Sequence, residues 1–420
     1  MNKKIKVLTI SDHPLMPSGV GLQTKYFIEA LLKSGKFSVI SIGGAIKHQS
    51  YQPIRTQEFG DDWTIFPVDG FGDPNMIRSI LRSEKPDILW FMTDPRFYGW
   101  LWNMANEIRA LVPMVYYHVW DNYPYPTFNK PFYDSNDVIV SISKLTDDIV
   151  RTVSPEVECH YLPHAIPEDS FYPLPDDEIK KARKAHFPNM KEDAMLVFWN
   201  SRNARRKQPG AIIWWFKQFL DRVGHDKAVL LMHTNPKDTN GPDLEAIVKE
   251  LKLDNGSVLF SNQAVSPEHL RLMYNMADVT ISASDAEGFG LSTLESLNCA
   301  TPIVVPRTGG LQDQATDGKE TFGVMIEPAA QYVIGSQEVP YIYEDKISGN
   351  DFVQALCSMW FKPAADRKKL GLKGREHALN NFSFKKYQDR WVEIMEKVYN
   401  ERGSWNNRKN YDRWSLKEVK

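Results

Sequence analysis

The sequence predicts an α/β protein made of two Rossmann-like, doubly wound parallel-sheet domains that face each other across a cleft. The chain has 420 residues, which is enough for two domains of ordinary size. Short apolar runs rich in β-branched residues alternate with helical patterns along most of its length, which is typical of βαβ units. A proline-rich, acidic stretch interrupts this alternation near the middle and indicates a boundary between domains.

The first predicted domain covers residues 1–170. Most of its strands carry apolar residues on both alternations, as strands covered on two faces do. The predicted strands are Ile5–Ser11, Phe37–Ile42, Asp87–Thr93, Met114–Trp120, Val138–Ser143 and Glu158–Pro163. Helical patterns between them include Leu22–Ser34 and Tyr98–Ala110.

Residues 171–191 are predicted to be a linker, because this part of the chain combines several prolines with the acidic run Asp176–Glu178. The second domain is predicted over 192–394, and a helix at about 395–420 is expected to pack back onto the first domain. Its strands are Met195–Ser201, Ala228–His233, Val258–Ser261, Val279–Ser284 and Pro302–Val305, and its helices are Ala211–Val223, Leu244–Leu251, Pro267–Met276 and Ser292–Leu297. The Gly/Pro-interrupted stretch 331–349 receives no role from the sequence.

Composition argues against several classes of protein. The net charge of −2 gives no preference for nucleic acid or membranes, and no apolar run is long enough to cross a bilayer. The three cysteines are widely separated, which supports neither a disulfide framework nor a thiolate metal site and favours the reducing cytoplasm. Acidic residues outnumber basic ones in the first 175 residues, so a lipid acceptor is less expected than a soluble one.

Ligands bind doubly wound sheets at the carboxyl ends of the strands, so the predicted site is the cleft between the domains. The segment Asp285–Glu295, with the sequence DAEGFGLSTLE, follows a predicted strand and runs into a helix. The amides of Phe289, Gly290 and Leu291 open that helix and favour an anion such as a diphosphate. One turn later, Glu295 is placed to accept hydrogen bonds from ribose hydroxyls, at about 1.5–3 kcal/mol each.

This segment resembles the E-x7-E motif of the family 4 retaining glycosyltransferases, which have the GT-B fold. The following residues, Ser296–Val305 and Thr308–Gly310, also resemble that family. The resemblance implies a metal-independent enzyme that moves a sugar from a nucleoside diphosphate to an acceptor hydroxyl with retention. It also implies that Glu287 contacts the donor sugar and Glu295 the ribose. No bound cofactor is expected, and a UDP-sugar is favoured only because UDP is the common donor nucleotide.

A second segment, Asn200–Lys207, is rich in cations and follows the first strand of the second domain. A leaving diphosphate gains negative charge, and cations aimed at it in a dry cleft stabilise the transition state. The family has an arginine and, five positions later, a lysine here, which match Arg202 and Lys207. Two glycines of the family pattern are missing, which leaves Arg205 or Arg206 as possible substitutes for Arg202.

The remaining candidate residues lie at strand ends of the first domain. Pro17–Gly21 resembles the family's N-terminal glycine loop, which implies that Gly19 and Gly21 approach the donor phosphates. His118 ends a strand where the family has a histidine at the donor-sugar end of the cleft. Other polar or aromatic residues at strand ends are weaker candidates for acceptor contacts: Asp12, Asp94, Trp120 and Asp121.

Alternatives remain open at this stage. A nucleotide-sugar epimerase or a phosphorylase of the same fold is one alternative, and a non-catalytic sugar-binding protein is another. A nicotinamide-dependent dehydrogenase is not favoured, because the second predicted strand of this chain runs into Ser41–Gly44 without an acidic residue to hold an adenosine ribose. No metal site is predicted. Pro163 lies between His160 and His164, so these two histidines do not share the face of a helix as a zinc pair would. Asp285 and Glu287 have the spacing of an acidic metal motif, but Glu287 is already assigned to the donor sugar. The favoured acceptor is a soluble glycan or metabolite, and a modified nucleic-acid base is possible because the basic, aromatic tail Arg402–Lys420 is able to bind nucleic acid. Packing of that tail on the first domain is preferred.

Overall fold

The computed structural model describes residues 3–45 and 47–412, and within them the chain forms two α/β units, each built on a parallel sheet. The predicted fold class is therefore confirmed. The first sheet has the strand order β3-β4-β2-β1-β5-β6-β7-β8, and only β3 runs antiparallel to its neighbour. Its strands are β1 (Ile5–Asp12), β2 (Phe37–Gly44), β3 (Ile54–Arg55), β4 (Trp63–Pro67), β5 (Ile88–Met92), β6 (Met114–His118), β7 (Val138–Ser141) and β8 (Glu158–Tyr161).

Helices cover both faces of this sheet: α1 (Gly19–Lys33), α2 (Pro74–Glu84), α3 (Gly99–Asn103), α4 (Ala105–Arg109), α5 (Lys130–Asp134) and α6 (Lys144–Val153). The single helix predicted over Tyr98–Ala110 is wrong, because two short helices with a break at Met104 stand there. Helix α1 begins earlier than predicted, since the side chain of Ser18 caps it by accepting a hydrogen bond from the Gly21 amide at 3.0 Å. Both glycines of the predicted loop thus lie in the first turn of α1.

The second sheet has the order β11-β10-β9-β12-β13-β14, and all its neighbours are parallel. Its strands are β9 (Met195–Asn200), β10 (Ala228–His233), β11 (Val258–Ser261), β12 (Val279–Ile281), β13 (Ile303–Pro306) and β14 (Gly323–Ile326). Its helices are α7 (Asp176–His186), α8 (Pro209–Val223), α9 (Leu244–Glu250), α10 (Pro267–Met276), α11 (Leu291–Asn298), α12 (Leu311–Ala315), α13 (Gly349–Phe361) and α14 (Ala364–Asn381).

Part of the predicted linker is helical. Helix α7 occupies residues 176–186, and it packs against α10 of the second unit. Arg183 fixes it there, because its guanidinium donates to Asp278 at 3.0 Å and to the Ala194 carbonyl at 2.8 Å. The acidic run that indicated a linker is the first turn of this helix, where carboxylates stabilise the helix by interacting with the positive end of its dipole.

An antiparallel hairpin interrupts the second unit after β14. It consists of β15 (Ala330–Ile334) and β16 (Ile342–Lys346), paired from Ala330 with Lys346 to Ile334 with Ile342. The sequence did not predict it, because its strands are short and the connection between them, which contains Gly335 and Pro340, is longer than a tight hairpin turn. The hairpin lies in the stretch 331–349 that received no role, and it extends from the second unit to the first.

The last helix, α15 (Phe384–Arg402), returns to the first unit and packs on α1. Its Trp391 is fully buried, with ring centroids 4.7 Å from Phe27 and 4.9 Å from Tyr117. After the helix, Arg408 donates to Asp137 at 2.7 Å, so this part of the tail also packs on the first unit. Trp414 and the rest of 413–420 lie outside the described residues. Within the described residues, 3–45 and 47–412, no helix is long and apolar enough to cross a membrane.

Candidate functional site

The carboxyl edges of the two sheets face each other across the cleft. A Cβ atom on Gly19, in the first turn of α1, would lie 3.1 Å from Cδ1 of Leu291, the first residue of α11. A Cβ atom on Gly288 would lie 3.2 Å from the Val119 carbonyl oxygen and 3.7 Å from Oδ2 of Asp121. Both glycines therefore allow close approach of the two units, and the starts of α1 and α11 border the same space.

The turn between β12 and α11, residues 285–290, is held by its own neighbours. Gly309 has φ +47°, and a Cβ there would overlap the carbonyl of Glu287. The amide of Gly310 donates to that same carbonyl at 2.9 Å. On the other side, the Gln314 side chain donates to the Phe289 carbonyl at 2.7 Å and to the Gly290 carbonyl at 3.0 Å. The amides at the start of α11 are thereby fixed in direction before any ligand arrives.

The basic loop after β9 docks directly on this turn. The Asp285 amide donates to the Arg206 carbonyl at 2.8 Å, and the Arg206 guanidinium donates to the Ala286 carbonyl at 2.6 Å. Lys207 forms an ion pair with Glu287, and both side chains are largely buried. Burial and the neighbouring Arg206 lower the pKa of Lys207, whereas the Asp121 carboxylate acts in the opposite direction. The structure thus brings together Lys207 and Glu287, which the sequence predicted to share one site.

Arg202 does not join this group. Its guanidinium pairs with Asp238 at 2.7 Å, and 68% of its side chain is exposed. Arg206, one of the two substitutes left open by the sequence, lies closer to the turn, with its guanidinium 3.6 Å from the Glu287 carboxylate. Arg205 forms a bidentate ion pair with Glu344 of the hairpin at 2.6 and 2.8 Å, and its guanidinium is 3.8 Å from the Asp285 carboxylate.

Glu295 lies in the second turn of α11 and takes part in a short chain of hydrogen bonds. The Tyr274 hydroxyl donates to its carboxylate at 2.6 Å, and Asn200, at the end of β9, donates to that hydroxyl at 2.8 Å. Burial raises the pKa of Glu295 to about 7, although the hydrogen bond from Tyr274 opposes the shift. The sequence did not identify Tyr274 or Asn200 as partners, because they belong to other elements.

His118 lies in the core of the first unit. Its ring is fully buried, its Nε2 is 2.9 Å from the Tyr133 hydroxyl, and its Nδ1 has no partner among the described residues. Burial lowers its pKa to about 3, so the imidazole is neutral. The contacts of the ring are therefore with the core rather than with Lys207 or Glu287.

The four weaker candidates lie at the ends of strands, as predicted, but in different settings. Asp121 is near Gly288, and burial raises its pKa while Arg206 and Lys207 oppose that rise. Asp12 accepts from Ser18 at 2.9 Å, and Asp94 is occupied by Arg96 at 2.7 and 2.9 Å. Trp120 is buried, and its indole donates to the Asn122 carbonyl at 3.1 Å.

A second charged network lies beneath the hairpin and links it to the turn before α11. Asp285 is almost fully buried and pairs with Lys346, while the Gln208 side chain donates to it at 2.7 Å. Glu344 is also buried and accepts from Arg205. No sequence signal marked Glu344 or Lys346, because both lie in the stretch without an assigned role. Within 3–45 and 47–412, no group of three or more His, Cys, Asp or Glu side chains is placed to hold a metal ion.

Residues 182–348 match the family described as Glycosyl transferases group 1. The chain is similar to the D-inositol 3-phosphate glycosyltransferase of Acidothermus cellulolyticus, at 35% identity over 199 residues, covering 46% of this chain and 41% of that protein. It is also similar to the enzyme of the same name from Xylanimonas cellulosilytica, at 24% identity over 195 residues, covering 46% and 45%. These alignments span less than half the length of the curated relatives.

Similarity in structure extends over nearly the whole chain. The sucrose-phosphate synthase of Thermosynechococcus elongatus superimposes with a TM-score of 0.74 at 16% identity, covering 95% of this chain and 100% of that one. Anabaena Alr3699/HepE, solved with UDP and glucose, gives a TM-score of 0.69 at 13% identity, covering 94% and 100%. The resemblance predicted from the E-x7-E segment is confirmed: residues 182–348 match the model of the glycosyl transferases group 1, and the chain has the GT-B fold.

Proposed function

We propose that this protein is a retaining glycosyltransferase that moves a sugar from a nucleoside-diphosphate sugar to an acceptor hydroxyl. One observation supports this most strongly: the basic loop with Lys207 docks on the turn that leads into α11, beside Glu287. That arrangement places a cation and a helix start at one point of a cleft, where a diphosphate would be bound from two sides.

The donor occupies the second unit in this proposal. The amides of Phe289, Gly290 and Leu291 bind the diphosphate, Glu287 contacts the sugar, and Glu295 accepts hydrogen bonds from the ribose. Lys207 breaks its ion pair with Glu287 and binds the diphosphate instead. Arg202 joins it by exchanging Asp238 for a phosphate oxygen, and Arg206 holds the turn in place.

The acceptor approaches from the first unit, along the ends of β1, β5 and β6. Its hydroxyl oxygen forms a bond to the anomeric carbon on the face that the diphosphate leaves, and the bond from that carbon to the phosphate oxygen breaks. The hydroxyl proton passes to the leaving diphosphate, which gains negative charge as the bond breaks. Gly19 and Gly21 allow the start of α1 to approach the phosphates. His118 supports this edge from within the core, next to Asp121.

We further propose that UDP is the nucleotide and that no metal is required, since Lys207 and the helix start supply the positive charge. Solved Anabaena Alr3699/HepE binds UDP-glucose, and this chain superimposes on it with a TM-score of 0.70. All three cysteines carry free thiols, which supports a cytoplasmic location. Undiminished activity in the presence of EDTA is the expected result, and its loss would contradict metal independence.

The test is a thermal-shift screen of nucleoside diphosphates and their sugars, followed by product analysis with the best donor. We expect stabilisation by a nucleoside diphosphate and slow release of free sugar in the absence of acceptor. Conversion of the donor into another nucleotide sugar would indicate an epimerase instead. Phosphorolysis of a glycan would indicate a phosphorylase, and binding without any turnover would indicate a sugar-binding protein. Retention is checked by the anomeric configuration of the transferred sugar.

A further inference from the structure

Two pairs of tyrosines meet at the boundary between the two units. The rings of Tyr123 and Tyr125, in the loop after β6, have centroids 5.6 Å apart. The rings of Tyr341 and Tyr343, on the hairpin, are also 5.6 Å apart, with their hydroxyls 3.2 Å from each other. The two pairs are joined by main chain, because the Tyr343 amide donates to the Tyr123 carbonyl at 2.5 Å. We call these four residues the tyrosine strip.

The tyrosine strip is open to solvent at both ends. Tyr341 is 47% exposed and Tyr125 is 37% exposed. Val333 pairs with Tyr343 across the hairpin, so it lies on the same face, and it is 63% exposed. Contiguous exposed aromatic and apolar groups on a protein surface mark places where a partner binds.

The hairpin that carries half of the strip is firmly seated. Val339 and Ile342 are buried in the hydrophobic cluster of the first unit. Asn122 fixes the same point, since its amide donates to the Tyr343 carbonyl at 3.0 Å. The rings are therefore held in place before a partner arrives, which lowers the entropic cost of binding.

The strip leads out of the proposed active site. Asn122 follows Asp121, whose carboxylate faces the turn before α11. The Asp345 amide donates to the Asp285 carbonyl at 2.9 Å, two residues before Glu287. A molecule lying along the rings thus has one end where the acceptor hydroxyl must be.

The charges beside the strip are negative. The Tyr125 hydroxyl donates to Asp148 at 2.6 Å, and burial together with the carboxylates of Asp148 and Asp345 raises the pKa of Tyr123. The nearest cations of the hairpin base are already engaged, because Arg205 pairs with Glu344 and Lys346 pairs with Asp285. A phosphate-rich partner would meet repulsion here, whereas hydroxyl groups would find acceptors.

We propose that the tyrosine strip binds the acceptor, and that this acceptor is an uncharged glycan. Tyrosine rings offer rigid apolar faces for sugar rings, and their hydroxyls bind sugar hydroxyls. This inference rests on the proposed function for the direction of transfer, but glycan binding is measured without any transfer.

The test is native affinity electrophoresis of the full chain in gels that contain neutral polysaccharides: an α-glucan, a β-glucan, a mannan or a galactan. We expect that at least one of these polysaccharides retards the wild type. For Tyr341→Ala we expect a dissociation constant at least about fivefold larger, which corresponds to the loss of one contact of about 1 kcal/mol. Trp214→Ala is the matched control, because Trp214 is an equally exposed aromatic residue on α8 and 55% of it is accessible. It should behave as the wild type does.

Three results would overturn the inference: no retardation in any of the four gels, retardation that Tyr341→Ala leaves unchanged, or Tyr341-dependent binding of a single-stranded oligodeoxynucleotide in a band-shift assay. Thermal shift with nucleoside-diphosphate sugars is measured on the same samples. If the donor binds and no polysaccharide does, the tyrosine strip is wrong while the proposed function stands. If no donor binds, the proposed function fails whatever the gels show.

Discussion

The turn before α11 and the acceptor edge of the first unit form opposite walls of one cleft, but they are encoded differently. The turn from Asp285 to Gly290 is one contiguous segment, and the residues that hold it come from two further short segments, 206–207 and 309–314. The acceptor edge is assembled from strand ends far apart in the chain and from a hairpin that belongs to the other unit. Under the proposed function, the donor wall is thus read from short local segments, whereas the acceptor wall depends on tertiary contacts.

The largest expected effect is on the donor wall. Lys207→Ala should lower the rate of donor turnover by about 10²-fold or more, the scale for removing one charge that stabilises a transition state. The matched control is Lys217→Ala, because Lys217 lies on α8 and pairs with Asp221 on the surface. The rate is measured as release of nucleoside diphosphate. A Lys207→Ala rate close to that of the control would remove the basis of the comparison.

The turn itself offers the next prediction. Gly309→Ala introduces a Cβ that overlaps the Glu287 carbonyl and imposes φ +47° on an alanine. We expect a loss of about 1–3 kcal/mol in the free energy of unfolding, typical of overpacking, together with weaker binding of nucleoside diphosphate. Gly99→Ala is the control, since no atom of the described residues lies within 4 Å of its Cβ position. Chemical denaturation and calorimetric titration measure the two quantities. Equal stability of both variants would contradict the prediction.

The next prediction tests the acceptor wall with a substitution in the hairpin. Val339→Ser removes apolar contacts at the buried tip of the hairpin and should destabilise its seating by about 1–3 kcal/mol, the scale for exposing one valine side chain. We expect faster hydrogen exchange at the Tyr343 amide, whose bond to Tyr123 crosses between the units. The exchange of β9 and β12 amides serves as the internal control. Unchanged exchange at Tyr343 would show that the hairpin does not depend on this contact.

The last prediction concerns the pH dependence of stability that Glu295 contributes. Its pKa is about 7 in the folded protein and 4.5 as a free side chain, so the folded state binds the extra proton between these values. The contribution of Glu295 to the free energy of unfolding therefore falls as the pH rises from about 4.5 to about 7. The glutamine of Glu295→Gln does not titrate, so the wild type should lose stability relative to the variant as the pH rises over that range. A difference in melting temperature that does not change with pH would contradict this.

The sequence predicted the parts of the fold that have strong local patterns. The long apolar strands β1, β2, β5 and β9 and the helix α10 stand where they were expected. It missed the hairpin, because each strand has only five residues and the connection 335–341 between them is longer than a tight hairpin turn. It also assigned the whole of α7 to a linker, since three acidic residues in a row are as typical of a helix N-terminus as of a solvated connection.

The candidate site, like the fold, could be predicted only where its residues lie in short segments with a recognisable local pattern. Lys207 and Glu287 were placed together from two short segments, and the structure brings them into contact. His118 was chosen by its position at the end of a strand, but the end of a strand does not determine the rotamer, and the ring points into the core. The ion pair of Arg202 with Asp238 depends on a loop after β10 whose path no local pattern reveals.

The most direct test of the donor wall is a crystal structure of the protein with UDP. We expect the diphosphate at the amides of Phe289, Gly290 and Leu291, with Lys207 Nζ within hydrogen-bonding distance of a phosphate oxygen and no longer paired with Glu287. A diphosphate bound elsewhere, with the ion pair between Lys207 and Glu287 still intact, would contradict the account.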